Sequence, residues 1–301
     1  MLDLHTLAAV LTEHRDALAH RVRPFDLGGR ACDFERERPL MGVINLSPES
    51  WYAESVCADE AAAVARGLAL TAAGAALVDI GAESTLAHAA RVPPAEQQAR
   101  LVPVVRALSA QGVVVSVESY WPEVLEACAL AGARVFNLTG RRAEADVLAL
   151  ARRFGAAVVL CYVQGETVRD VGRFTFAADM MDELTDHFRE RTALAERHGV
   201  SRCILDPGLG FYYANLADGA LRVNHQLHTF LHSFRLHRLG YPILNILPHA
   251  PDIFGEAHRR AAEPLFAVLA WLLGTHIVRT HELEVVARYR EVLAAYRAGG
   301  G

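Results

Sequence analysis

Apolar and polar positions alternate along the chain in two repeating patterns. Short β-branched runs recur, and each is followed by a segment rich in alanine and leucine with helical spacing. The runs LMGVIN (40–45), ALVDIG (76–81), VVVSVE (113–118), VFNL (135–138), AAVVLCY (156–162), CILDPG (203–208), PILNIL (242–247) and HIVRTH (276–281) predict eight strands. Helices are predicted over 58–73, 94–111, 121–132, 142–154, 176–198, 217–239, 257–274 and 283–297. Runs that are apolar almost throughout suit parallel strands buried on both faces. Eight strand–helix units in succession predict the α/β class and a (β/α)8 TIM barrel. A doubly wound open sheet is the rival, but it usually has fewer strands and a glycine fingerprint after the first. VINLSPES, at the end of the first run, has none. Residues 1–38 are expected to form an N-terminal helical extension and lead-in, packed across the bottom of the barrel or engaging a partner. Residues 39–301 are expected to form the barrel.

In such a barrel the active site lies at the C-terminal strand ends. Those ends carry Asn45; Asp79 with Glu83, Ser84 and Thr85; Glu118; Asn137; Tyr162 with Gln164; Asp206; Asn245 with His249; and Arg279 with His281. Each has a structural reading beside the functional one. Asp79, between Val78 and Ile80, reads equally as a buried acid satisfying loop backbone. Asn137 reads as a loop cap, and Arg279 and Glu118 as a structural pair. The run NHQLHTFLHSFRLH (224–237) spaces His225, His228 and His232 along one helix face. It lacks a carboxylate and lies away from the strand ends, so it reads as a solvated face. Arg279 and His281 are two apart on a strand, point the same way and can clamp an anion. Asn45, from the neighbouring first strand of a closed barrel, can join them around a phosphate or its magnesium ion. Glu118, Asn137 and Asp206 offer two acceptors and an amide, a set suited to a flat heterocycle rich in N–H donors.

Composition narrows the partners. With 52% apolar residues among 301, the chain can bury one large core or two ordinary ones. A net charge of −5 leaves no basic footprint for nucleic acid. Five cysteines without C-x-x-C spacing suggest neither a disulfide framework nor a zinc site, and so a reducing, cytoplasmic setting. No apolar stretch approaches the roughly 18 residues of a membrane span, and the N-terminus lacks the apolar core of a signal peptide.

Five motifs, in order, resemble those of dihydropteroate synthase and, more broadly, the pterin-binding barrel proteins. MGVINLSPES (41–50) is similar to M-G-I-L-N-V-T-P-D-S, and VDIGAEST (78–85) to I-D-I-G-G-E-S-T. VSVESYWPEVLEACALAGARVFNLTG parallels a V-S-I-D-T stretch that ends in I-N-D-I. ILDPGLGF (204–211) matches I-L-D-P-G-I-G-F, and GTHIVRTHELEVV (274–286) matches the closing G-x-x-I-V-R-V-H-D-V. The likeness runs from about residue 26 to about 290.

The resemblance implies a TIM barrel that binds 6-hydroxymethyl-dihydropterin pyrophosphate. It further implies that pyrophosphate is expelled with Mg2+ and that p-aminobenzoate condenses with the pterin in folate biosynthesis. Carried over by position, Asn45, Arg279 and His281 belong to the pyrophosphate and magnesium group. Glu118, Asn137, Asp206 and Phe211 belong to the pterin pocket, and Thr85 to the second loop near phosphate and p-aminobenzoate. Family members are often homodimers through their last helices, a role the apolar PLFAVLAWLLG (264–274) suits. A buried barrel helix reads the same way.

The departures are specific. Glu118 stands for an aspartate, Leu138 for the second acid of I-N-D, Leu86 for an arginine and Tyr213 for a lysine. NILPHAPDIFG (245–255) replaces a seventh loop that carries S-R-K, and the whole chain has no lysine. The first loop, SPESWYAESVCAD, lacks the family's glycine pair. Three readings follow. One is a divergent synthase, acting on p-aminobenzoate or a related amine with His249 or Tyr213 replacing lost groups. The second is a pterin- or folate-dependent methyl (one-carbon) transferase. The third is a non-catalytic pterin-binding homologue. Retention of Arg279 and His281 favours the first over the second.

Overall fold

A computed structural model describes residues 2–47, 55–86, 89–211, 213–216, 218–248 and 250–296. Among these residues, eight parallel strands form one sheet: β1 (Leu40–Asn45), β2 (Ala75–Gly81), β3 (Val115–Glu118), β4 (Val135–Leu138), β5 (Ala157–Cys161), β6 (Cys203–Asp206), β7 (Leu244–Ile246) and β8 (Ile277–Thr280). Each strand pairs with its neighbours in chain order, and β8 returns to β1. A parallel bridge between Leu205 and Ile243 joins β6 to β7 and closes the ring. The closure rules out an open doubly wound sheet and makes the fold a (β/α)8 barrel.

The outer layer is α1 (Glu60–Ala72), α2 (Pro94–Ala110), α3 (Pro122–Ala131), α4 (Glu144–Phe154), α5 (Met180–Arg197), α6 (Gly219–His232), α7 (Ala262–Leu272) and α8 (Leu283–Ala295). Helix starts follow local chemistry. The Asp59 and Asp179 carboxylates accept from Ala62 and Met181 N–H groups, and proline stands in the first turn of α2 and α3. The predicted helix over 217–239 divides into α6 and a 3-10 turn, Ser233–Leu239, which stops at Gly240 with φ 75°. The segment predicted over 257–274 begins as a 3-10 turn, Glu256–Ala261, before α7.

The lead-in is not helical throughout. Helix Leu4–Glu13 buries no side chain, and a 3-10 turn covers Arg15–Ala19. Then Phe25–Asp26 and Ala31–Cys32 form a small antiparallel hairpin, turning through Gly28 and Gly29 at positive φ. Two-residue strands are too short to show period-2 alternation, so FDLGGR signals only its turn.

The core has two parts. Between strands and helices lies the larger one, built from residues such as Ile44, Val78, Val105, Leu125 and Phe188. Inside the barrel, Met41, Leu77, Val135, Ala157, Ile204, Leu244 and Ile277 from the strand starts pack with Val22, Leu27, Cys32 and Phe34 of the lead-in. Hydrocarbon thus fills one end of the barrel and polar strand ends occupy the other. Among the described residues, no helix is long and apolar enough to cross a membrane.

Candidate active site

Asn45, Thr85, Glu118, Asn137, Asp206, Phe211, Arg279 and His281 all line one cleft at the C-terminal mouth of the barrel. The register produces this convergence. Asp79 pairs with Ser116, Gly81 with Glu118 and Glu118 with Asn137, so alternate residues of adjacent strands face inward together.

Beneath the cleft sits Asp79, 1% exposed. Its Oδ1 accepts from the Ser116 hydroxyl at 2.7 Å, and its Oδ2 accepts from Asn137 Nδ2 at 3.0 Å and Arg279 Nε at 2.9 Å. The Arg279 guanidinium also lies 3.9 Å from Glu118 Oε2. Burial opposes the Arg279 charge, but Asp79 and Glu118 outweigh it and hold the group protonated. Asp79 is therefore the hub that orients two cleft residues. Because Asn137 gives its amide N–H to Asp79, its carbonyl Oδ1 is left buried with no partner among the described residues. Buried acceptors are normally satisfied, so this one is poised for a ligand donor.

Two carboxyls, Glu118 and Asp206, line the cleft. Burial pushes Glu118 up to about 7, with the Asp79 charge adding to the rise and Arg279 opposing it. Thr139 donates to Glu118 Oε1 at 3.4 Å. Asp206 is raised to about 6, chiefly by burial, against the Gly208 N–H that donates to its Oδ1 at 2.8 Å. The turn after β6 requires glycine at 208. There φ is +78°, and a Cβ would lie 2.3 Å from the Tyr162 carbonyl oxygen.

Asn45 and His281 line the same cleft as Arg279. Asn45 Nδ2 donates to Ser55 Oγ at 2.5 Å, which fixes the orientation of the amide. His281 Nδ1 lies 3.1 Å from Glu263 Oε1. Glu83, also in the cleft wall, accepts from Arg169 at 2.8 Å and from Gln97 at 2.8 Å, joining the loops after β2 and β5.

Several strand-end residues lie elsewhere. Asn245 is fully buried and turned into the wall, where it donates to Thr275 Oγ1 at 2.7 Å; Ile246 faces the cleft instead. Tyr162 and Gln164 bond each other at 2.9 Å and line a separate cleft beside the β5 loop. Tyr213 is buried and stacks on Phe174, with ring centroids 5.4 Å apart, rather than lining the cleft. Hence it does not stand in for a lost lysine. Tyr212 and His249 lie outside the described residues. The predicted histidine face is only partly solvated: His225 meets Phe174 at 5.0 Å, and His228 and His232 stack at 4.4 Å.

The sequence reading missed Glu263, Arg169 and Thr139. Thr139 follows Asn137 by two, so strand periodicity signals it. For Glu263 the signal is one acid within an apolar helix. Arg169, in a three-residue 3-10 turn (Val168–Asp170) within the loop after β5, carries none.

The model for pterin binding enzymes matches residues 41–281. The dihydropteroate synthase of Escherichia coli (strain K12) is 27% identical over 266 residues, covering 85% of this chain and 90% of that protein. Xanthomonas albilineans dihydropteroate synthase, solved with 4-aminobenzoic acid, superposes with a TM-score of 0.74 at 29% identity, covering 91% of this chain and 99% of that one. The same enzyme solved with 7,8-dihydropteroate gives a TM-score of 0.73 at 27% identity over 91% of this chain and 100% of that one.

Proposed function

We propose, from the premise that this chain belongs to the pterin-binding enzyme family, that it condenses hydroxymethyl-dihydropterin pyrophosphate with p-aminobenzoate or a related amine. The chain is dihydropteroate synthase-like in sequence and fold. One observation carries the reading to chemistry. A single cleft brings together acceptors for a donor-rich ring (Glu118, Asn137 Oδ1, Asp206) and, beside them, an arginine and a histidine for an anion.

In this reading Asp206, Asn137 and Glu118 accept the N–H groups of the pterin, and Phe211 packs against it. Arg279 and His281 bind the pyrophosphate and stabilise the charge that builds on the leaving oxygen as the C–O bond breaks. Asn45 suits a magnesium ion. Its amide nitrogen is committed to Ser55, so its hard amide oxygen is the end offered, and magnesium takes few protein ligands beside substrate phosphates. When bound, such an ion neutralises charge on the departing pyrophosphate. Thr85, in the second-loop wall of the cleft, is assigned to the incoming amine in this reading.

The amine end is the altered end. Ile246, Leu247 and Pro248 present apolar side chains to the cleft where family members carry a polar seventh loop, which supports a related amine as acceptor. Apolar side chains exposed on the last two helices, including Leu265, Leu272, Tyr289 and Val292, support a homodimer; a monomer mass in sedimentation would refute it.

The test follows pyrophosphate release from hydroxymethyl-dihydropterin pyrophosphate with and without p-aminobenzoate. Release that depends on p-aminobenzoate is expected. No release under either condition sinks the synthase reading, and release independent of p-aminobenzoate points to another acceptor. Titration with a pterin and with methyltetrahydrofolate then separates methyl transfer from a silent binder.

A further inference from the structure

Glu263 is a carboxylate in the first turn of α7, with 0% of its surface exposed. The helix is otherwise apolar on that face, with Pro264, Phe266, Ala267 and Ala270 buried around it. A carboxylate in such a place is costly unless donors surround it. The turn that ends β8 supplies such donors. The Thr280 hydroxyl and the backbone N–H groups of His281 and Glu282 donate to Oε2, the latter two at 3.1 Å and 3.2 Å. The His281 ring meets Oε1 through Nδ1 at 3.1 Å. One buried acid therefore fixes both the backbone and the imidazole of a residue that lines the cleft.

We propose that Glu263 is a positioning residue for His281, holding Nδ1–H so that Nε2 is the nitrogen presented to the substrate anion. This rests on the anion end of the cleft proposed above. An imidazole whose Nδ1 faces a carboxylate turns Nε2 away from it, and the carboxylate favours the protonated ring. As an imidazolium, His281 donates Nε2–H to a phosphate oxygen beside the Arg279 guanidinium. The proton stays on the ring, and no covalent step is involved. A neutral residue at 263 would fill the same space but lose the carboxylate that faces Nδ1. A merely structural role for Glu263 would act on the β8 turn alone and would not depend on the imidazole.

The experiment uses the full chain and inorganic pyrophosphate with magnesium as the probe, so it does not depend on turnover. Glu263→Gln is expected to weaken pyrophosphate binding about tenfold, the effect of one charge-assisted hydrogen bond. In a His281→Ala background the same substitution is expected to change binding by less than about twofold, because the residue acts through the ring. Equal weakening in both backgrounds overturns the proposal. Should Glu263→Gln fail to fold, ring-nitrogen NMR of the wild-type protein decides. Nδ1–H at His281 supports the proposal, and a neutral ring protonated only at Nε2 overturns it. Failure of the synthase reading looks different: pyrophosphate binds and the coupling holds, yet no pterin substrate turns over. Absence of pyrophosphate binding by the wild type overturns the anion role itself.

Discussion

Replacing Asp79 by asparagine isolates the hub under the cleft. The change keeps the shape but removes the charge facing Arg279 Nε at 2.9 Å, and it sets a second N–H donor against Asn137 Nδ2 or Arg279. Breaking a buried pair by neutralising one partner costs about 3–5 kcal/mol. Arg279 keeps Glu118 at 3.9 Å, so the lower figure, about 3 kcal/mol, applies. At roughly 2.1 cal/mol/K per residue, a chain of 301 residues has an unfolding entropy near 0.6 kcal/mol/K. The melting temperature should therefore fall by about 5 °C. Removing the arginine as well, in Asp79→Asn/Arg279→Met, leaves no stranded cation at that contact and should melt above Asp79→Asn alone. Calorimetry measures wild type, Asp79→Asn, Arg279→Met and the double variant. A loss below about 1 °C for Asp79→Asn, or a double-variant loss equal to the sum of the single losses, refutes the hub.

Two further outcomes test the cleft. Arg279→Ala is expected to weaken pyrophosphate about 10- to 100-fold while changing pterin affinity far less, and equal losses in paired titrations would refute the anion placement. The raised acids give stability a direction with pH. Glu118 moves from 4.5 to about 7 and Asp206 from 3.8 to about 6, so the folded chain holds protons that the unfolded chain has released. Their contribution to stability is greatest below about pH 4 and falls as pH rises to about 7. Glu118→Gln should therefore melt closer to, or above, wild type at about pH 8 than at about pH 4; a difference independent of pH in melting scans contradicts the assignment.

The barrel was legible in the sequence because strands buried on both faces are apolar without interruption. LMGVIN and VFNL coincide with β1 and β4 residue for residue. The cleft was legible because a barrel collects its strand ends in one place, and the motif positions fall on those ends. What stayed hidden depends on side-chain direction and on contacts distant in sequence. Asn245 sits in a three-residue strand, too short for alternation to tell wall from mouth. Tyr213 aligns with a lysine, yet its ring gains more by stacking on Phe174 than by facing a polar cleft. Glu263 acts on a residue 18 positions later, a distance that no helical or strand period reports. The hairpin over 25–32 has too few residues to carry a pattern.

The hydrocarbon floor laid by Val22, Leu27, Cys32 and Phe34 beneath the strand starts has a kinetic consequence. A barrel stopped at one end has a single doorway, so everything that enters the cleft must queue at it. Under the proposed function, the pterin at Asp206 and Asn137 has to arrive before anything that binds nearer that doorway. The product built on that molecule has to wait until the outer guest has gone. The order of arrival and departure is thus set at the far end of the barrel, by residues that never meet a ligand.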